Sequence, residues 1–251
     1  YVQEHFFRPV HMETASYLLT PEVERRLTGL YQADGVRTYP YWHFCFRPSG
    51  AMNASANDMA NYVRFYLQRG SLDATQLLHS SSIERMETTE TLPSARLGSI
   101  AGYGLYNHAM PEGVFTFRGH GGAIMGAVSE MAYLPDAGRG YAVVINSGNG
   151  HALLRITKLI RTYLVRDLTP PLLPPSVFVP AELQRHYGGH YQIISPSEQW
   201  LYAFDRLAGI KKLTFTSDAL SASTYGFGLE KWMPVSPRLY RKENQSAVTL
   251  A

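Results

Sequence analysis

The stretch Arg118-Gly119-His120-Gly121-Gly122-Ala123-Ile124-Met125-Gly126 decides how this chain is read. It follows Val114-Phe115-Thr116-Phe117, a run rich in β-branched and aromatic residues that predicts a strand. Residues 127–134 predict a second strand. Between the two lie four glycines and one histidine. Glycine lets a backbone approach another molecule closely or take positive φ at little cost. The stretch therefore suggests a sheet edge that offers bare N–H groups and one imidazole to a ligand. A glycine-rich bulge with an incidental histidine is the other reading of the same residues.

Working outward, the 251 residues are 45% hydrophobic and 17% charged, enough to bury a core, and suffice for one large domain or a domain with a small module. The net charge of +3 is spread along the chain and argues against nucleic acid as a partner. No apolar run reaches the length of a transmembrane span. The single cysteine, Cys45, excludes an internal disulfide and a cysteine-rich metal site, and is expected to pack as a small buried apolar group. The chain opens at Tyr1 in what reads as mid-domain sequence, so a missing N-terminal part of the same protein is expected.

Upstream of the glycine-rich stretch, residues 1–14 read as the end of a helix followed by a turn at Arg8-Pro9. Residues 15–50 read as irregular, with one short strand near Tyr31. The aromatic run 39–46 either lines a groove or packs a long loop. Ser55 and Asp58 take the N-cap and N3 positions of a helix whose apolar face holds Met59, Tyr62, Val63, Tyr66 and Leu67, with Gly70 as its stop. Ser81 and Glu84 suggest the same capping for a second helix that ends near Thr88. Residues 103–106 read as a strand.

Downstream, residues 135–140 predict the turn of a hairpin between strands 127–134 and 141–145. A helix over 151–166 follows, about 24 Å long, with an apolar stripe of Ala152, Leu153, Ile156, Leu159, Ile160 and Tyr163. Residues 168–180 hold five prolines and read as an extended linker. Beyond them, 181–251 read as a short helix and several short strands, a small antiparallel barrel or meander. Trp200, Tyr202 and Phe227 there either form a ligand face or fill the core.

Several chemistries are missing. There is no Gly-x-Ser-x-Gly elbow, no P-loop and no dinucleotide fingerprint, so no cofactor is expected. His186 and His190 are four apart, but Gly188 and Gly189 break the helix that a zinc pair would need, and no metal is expected.

Three stretches together resemble the serine β-lactamase-related family, which includes class C β-lactamases, D-aminopeptidases, penicillin-binding carboxypeptidases and esterases. Phe7-Arg8-Pro9-Val10-His11-Met12 is similar to the family's Pro-Leu-Gly-Met turn, with His11 where glycine is usual. Pro48-Ser49-Gly50-Ala51-Met52-Asn53-Ala54-Ser55-Ala56-Asn57-Asp58-Met59-Ala60 resembles a glycine pair and a capped Asp-Leu-Ala helix start, with Ala51 replacing the second glycine. Gly119-His120-Gly121-Gly122-Ala123 looks like the Lys-Thr-Gly or His-Thr/Ser-Gly motif, with Gly121 at the hydroxyl position.

The resemblance implies an α+β fold: an antiparallel sheet with covering helices, part of a β-lactamase/transpeptidase-like fold, over residues 1–167. The linker 168–180 and a small C-terminal antiparallel β domain over 181–251 are like an accessory module carried by some members. It implies a serine hydrolase that cleaves amide or ester bonds through an acyl-enzyme, with a small-molecule or peptide substrate. His120 and Ala123 would be catalytic, the imidazole beside the nucleophile and the Ala123 N–H as one of two oxyanion donors. Gly121 and Gly122 would bind substrate. Without a hydroxyl at Gly121, peptides or esters are favoured over penicillin-like anions. The family's Ser-x-x-Lys and Tyr-x-Asn motifs do not occur in this chain, so the chain alone is expected to be inactive. A non-catalytic relative that binds peptide or cell-wall fragments is the alternative. A periplasmic or secreted location is suggested by the resemblance alone.

Overall fold

The computed structural model describes residues 1–192, 209–216, 218–224 and 228–250. Trp200, Tyr202, Phe227 and the strand expected near 200–204 lie outside the described residues. The chain divides into two compact units. The first comprises residues 1–88, 103–112 and 117–169; the second comprises 89–102, 113–116 and 170–251.

The first unit starts with a π-helical turn, Gln3–Phe7, that ends in the turn around Pro9. His11 follows with φ +53, the left-handed conformation that explains why glycine is usual there. Ala51, by contrast, has φ −101, which any residue adopts, so the second glycine of the pair is dispensable. Next come α1 (Pro21–Arg26), β1 (Leu30–Tyr31), β2 (Thr38–Tyr39), α2 (Arg47–Gly50) and α3 (Ala56–Leu67). The Ser55–Asp58 capping box expected for α3 is present in both directions. The helix ends in a Schellman motif: Gly70 N–H reaches Phe65 O at 2.9 Å and Arg69 N–H reaches Tyr66 O at 3.0 Å.

Two short strands, β3 (Ser71–Leu72) and β4 (Thr75–Gln76), lead to α4 (Ser80–Glu87). Its N-cap is His79 and lacks a side-chain cap bond, so the expected Ser81 cap is corrected. The helix begins earlier because Ser82 and Ile83 N–H already bond to the His79 carbonyl.

An antiparallel sheet then forms from β5 (His108–Glu112), β6 (Phe115–Ile124), β7 (Ala127–Leu134) and β8 (Arg139–Ile145), in that order. Two expectations change here. The glycine-rich stretch is not a connection between strands but the second half of β6 itself, paired with β7 from Arg118–Tyr133 to Ile124–Ala127. The turn shrinks to Met125-Gly126, with Gly126 at φ +79 and its missing Cβ 2.7 Å from Leu30 Cβ. Residues 103–106 form no strand but an anchored loop, because Tyr106 takes φ +60 and Gly104 presses against the Met86 carbonyl.

The core lies where α3 meets β7 and β8. Val63, Phe65 and Tyr66 of α3 pack with Met131 and Tyr133 of β7 and with Phe7, Val10 and Met12 from the start of the chain. Each fully buried side chain of this size contributes about 1.5–3 kcal/mol. Tyr66 stacks on Tyr133 with ring centroids 5.1 Å apart.

On the other face lies α5 (Gly150–Val165), capped by Asn149, whose side chain accepts the Ala152 N–H. Its expected stripe is corrected. Leu153 and Thr157 are buried and Ile160, Arg161 and Leu164 partly so, whereas Ile156, Leu159 and Tyr163 are exposed. Arg161 sets that rotation, reaching Glu130 Oε1 at 2.6 Å and Tyr141 Oη at 2.8 Å, with Glu112 at 3.4 Å. Cys45 is also corrected: it is exposed, on a surface run where Phe46 is exposed as well.

In the second unit, residues 170–180 have no regular structure, but Val177 N–H bonds to Pro234 O at 2.9 Å. α6 (Ala181–Tyr187) follows, then a six-stranded antiparallel sheet: β9 (Gly189–Tyr191), β10 (Lys211–Phe215), β11 (Leu220–Thr224), β12 (Leu229–Ser236), β13 (Leu239–Lys242) and β14 (Val248–Leu250). Among the described residues, consecutive strands are neighbours, the order of a meander. Val179, Leu220, Trp232 and Tyr240 form its core. Ile100 N–H bonds to Val248 O at 2.8 Å, so residues upstream of the sheet join the same unit.

Candidate active site

The site is built on the second half of β6. β5 has five residues and β6 has ten, so β5 cannot flank the whole of its neighbour. Gly121, Gly122 and Ala123 are exposed. The two-residue turn closes the β6–β7 hairpin on the Ile124–Ala127 pair. The pair that closes such a turn is hydrogen-bonded, and bonding alternates along an antiparallel ladder. Gly122 and His120 therefore bond to β7, while the N–H groups of Gly121 and Ala123 point away from it. Two backbone donors thus face away from the hairpin partner along this half of the strand.

The glycines differ in what they do. A Cβ at Gly119 would lie 2.1 Å from the Met131 carbonyl oxygen, so close approach of β7 demands glycine there. At Gly122 it would meet Ser129 Oγ at 2.7 Å. At Gly121 the nearest atom would be 3.5 Å away, ordinary contact, so nothing in the packing forbids a side chain.

His120 is half-buried in an aromatic cluster. The Tyr106 ring stacks on its imidazole, with centroids 4.3 Å apart and planes 27° apart. Tyr103 lies 6.1 Å from it and His108 6.0 Å. Burial holds the His120 imidazole below its ordinary pKa. His108 is lowered too, by burial and then by the neighbouring His120. Both rings therefore favour the neutral form at pH 7, in which one nitrogen can accept a hydrogen bond.

The loop that carries Tyr103 and Tyr106 is held from three sides. Leu105 N–H bonds to Met86 O at 2.9 Å, Gly104 N–H to Asn107 O at 2.8 Å, and Tyr106 Oη to Ser49 O at 3.3 Å. Buried Asn107 donates to Tyr133 Oη at 2.8 Å, and Tyr133 donates in turn to Glu87 at 2.7 Å. Arg69 grips the same carboxylate with two bonds of 2.8 and 2.9 Å. This network ties α3, α4 and β7 to the loop and fixes the ring over the imidazole. A non-glycine residue at positive φ costs about 1–3 kcal/mol, which these anchors offset. The sequence pattern gives Tyr103 and Tyr106 a place in a strand and no role at the site. The tyrosines so close to Gly104 were the available signal.

Asn146 does not approach this cluster; its amide donates to Thr28 Oγ1 and Gly29 O. A hollow of about 400 Å³ lies between α3 and β8, lined by Val63, Arg64, Gly140 and Leu164, and none of the candidate residues lines it. Among the described residues no group of three or more His, Cys, Asp or Glu could hold a metal ion.

A family model described as Beta-lactamase matches residues 1–162. Comparison with curated proteins gives no match. Among solved structures, a beta-lactamase from Sulfitobacter sp. EE-36 superposes with a TM-score of 0.54 at 16% identity, over 66% of this chain and 52% of that one. A beta-lactamase/D-alanine carboxypeptidase from Pseudomonas syringae gives 0.53 at 9% identity, over 67% and 53%. A class C beta lactamase from Rhodobacter sphaeroides gives 0.51 at 13% identity, over 64% and 53%. At such identities the likeness is one of fold, and the chain spans about half the length of these structures. Because the family model covers more than half of its residues, this chain belongs to the beta-lactamase family.

Proposed function

We propose that these 251 residues are part of a serine hydrolase that cleaves amide or ester bonds through an acyl-enzyme. The observation that carries this reading is the exposed Gly121–Ala123 edge beside a neutral-leaning imidazole. In this reading a serine Oγ attacks the substrate carbonyl carbon. The carbonyl oxygen takes up negative charge and accepts a hydrogen bond from Ala123 N–H, one of two donors. Collapse expels the amine or alcohol with a proton, leaving an acyl-serine that water hydrolyses. His120 lies beside the nucleophile and contacts substrate or the assisting base, and Gly121 and Gly122 let the substrate backbone lie close.

The serine comes from a segment outside these residues, since no Ser-x-x-Lys occurs among them. We assign that segment to the same protein and place it against the first unit. Two features support the placement. β8 is the last strand of its sheet among the described residues, met only just past its end by the bridge from Tyr31 of β1 to Ser147, and Val144, Leu159 and Tyr163 are exposed there and on α5. An uncovered apolar face and an open strand edge are poorly tolerated alone.

The test is acylation. The protein that includes the serine segment should gain the acyl mass from a p-nitrophenyl ester, and Ala123→Pro should slow acylation by about 10²–10³-fold. The 251-residue chain alone should stay unlabelled. Absence of label on the complete folded protein favours the second reading, a non-catalytic relative that binds peptide or cell-wall fragments. Gly121, with no hydroxyl to hold a carboxylate, is the observation on that side. That reading expects ligand to raise the melting temperature without turnover.

A further inference from the structure

Tyr106 is an exposed aromatic residue that the fold holds in place at a cost. It is 65% exposed, sits at φ +60, and is flanked by anchored residues at 104, 105 and 107. One face of its ring covers the His120 imidazole. The ring does not fill a core. Tyr103, 46% exposed, stands beside the same imidazole at 6.1 Å. A stacked pair with one free face next to a peptide-binding edge is a platform for a third ring, because offset stacking continues from ring to ring.

The charge around the platform selects among rings. Gly121 offers no hydroxyl. The nearest cation along β6, Arg118, is committed to the Glu87 carbonyl at 2.9 Å. Arg161 is bound to Glu130 and Tyr141, whose side chains lie on the α5 face of the sheet. With both of these cations engaged elsewhere, neither is left to pair with a carboxylate on a ring bound here.

We propose that Tyr106 and Tyr103 form a subsite for an uncharged aryl group, so that the substrate carries a planar ring next to the carbonyl held at the Gly121–Ala123 edge. The subsite deepens the hydrolase reading given above and rests on it for the carbonyl's position. Tyr106 is the specificity-determining residue: its free face takes the ring, and its buried face keeps the imidazole fixed.

Binding tests this without turnover. The complete protein is titrated by calorimetry with N-benzoylglycinamide and with N-cyclohexanecarbonylglycinamide, which has similar size but no planar ring. The benzoyl amide should bind about 3- to 10-fold more tightly, the range that stacking supports. Tyr106→Phe should keep that preference and Tyr106→Leu should erase it, with both variants checked for an unchanged melting transition. Equal affinity for the two amides, no binding of either, or a preference that survives Tyr106→Leu would overturn the proposal. The outcome is separate from acylation. Labelling without aryl preference removes the subsite alone, whereas aryl binding without labelling removes the hydrolase and leaves the subsite.

Discussion

The Asp58 carboxylate accepts both the backbone N–H and the hydroxyl of Thr14, which lies 44 residues upstream. The same carboxylate accepts the N–H and hydroxyl of Ser55, each at 2.8 Å. One buried side chain thus caps α3 and fastens the chain's first turn to it. Burial pushes the carboxyl up, but the bonds from Thr14 and Ser55 outweigh that and hold it below the usual carboxylate range. Asp58→Ala should lower stability by roughly 2–4 kcal/mol, as expected for removing an ionised acceptor from several donors. The sign of the pH dependence follows. A depressed pKa contributes stability above the unfolded value, about 3.9, and that stability is lost as pH falls through the folded value. The urea midpoint of Asp58→Asn should therefore vary less with pH below 4 than that of the parent.

Gly119 and Gly121 are two residues apart and should respond oppositely to alanine. The Cβ of Gly119→Ala would run into the backbone of β7 at Met131 and Ala132, which cannot move aside without breaking the ladder. The expected loss is about 3 kcal/mol. Gly121→Ala meets only ordinary contact and removes a flexible residue from a strand. It should gain about 0.5 kcal/mol. Gly121→Ser should be equally tolerated and should raise affinity for carboxylate-bearing ligands, read by calorimetry against the parent. If both alanine variants unfold at the same midpoint, the distinction is wrong.

Arg161 and Glu130 should show strong coupling. Both side chains are about seven-eighths buried, at 13% and 12% exposure, and Tyr141 joins them. Arg161→Met leaves Glu130 charged beneath α5 without a cation and should cost roughly 3 kcal/mol. Adding Glu130→Gln should recover a large part of it, since the second change removes the stranded charge. A double-mutant cycle reads the coupling, and additive losses would refute it.

How legible the fold was depends on how local its causes are. The capped start of α3 and the hairpin between β7 and β8 are written in residues three or four apart, and both are as the sequence predicts. The beta-lactamase fold itself followed from three short stretches in order. Residues 103–106 read as a strand from their sequence but form a loop, because its conformation is set by Met86 and Tyr133, neither of them a sequence neighbour. The stripe of α5 differs from its apolar pattern for a related reason. Its apolar residues outnumber the positions that face the sheet, and a charged residue, Arg161, decides which face turns inward. At the candidate site, glycine spacing made the edge of β6 legible. The ring over His120 was not, because stacking across the loop leaves no periodic trace.

His11 offers a test of strain. Its φ of +53 is left-handed, and its exposed side chain makes only a 3.7 Å approach to Asp73. Glycine would relieve about 1–2 kcal/mol of backbone strain while adding some freedom to the unfolded chain. His11→Gly should therefore raise stability by about 0.5 kcal/mol, and His11→Ala, which keeps the strain, should not. The carbonyl of His11 accepts the Asn61 amide at 2.9 Å, and both substitutions preserve that bond. Chemical unfolding of the two variants side by side decides it; an alanine variant as stable as the glycine one would show that the turn is not strained.

The two imidazoles of the cluster should make stability depend on pH. Burial lowers both His108 and His120 relative to the ordinary value near 6.5. As pH falls past 6.5 the unfolded chain takes up protons first, so stability is lost between 6.5 and the folded values. The midpoint of unfolding should fall from pH 7 to pH 5, and His120→Gln should flatten part of that fall. Tyr106→Leu acts on the same equilibrium from outside. It replaces the ring that covers one face of the imidazole, lets water nearer, and should move the His120 titration up toward 6.5, measured from its ring-proton chemical shift. His108 is burdened by a charged His120, so its own titration should rise in His120→Gln. A His120 that titrates at the ordinary value in the parent protein would mean that the stack does not shield it, and the aryl platform would lose its fixed base.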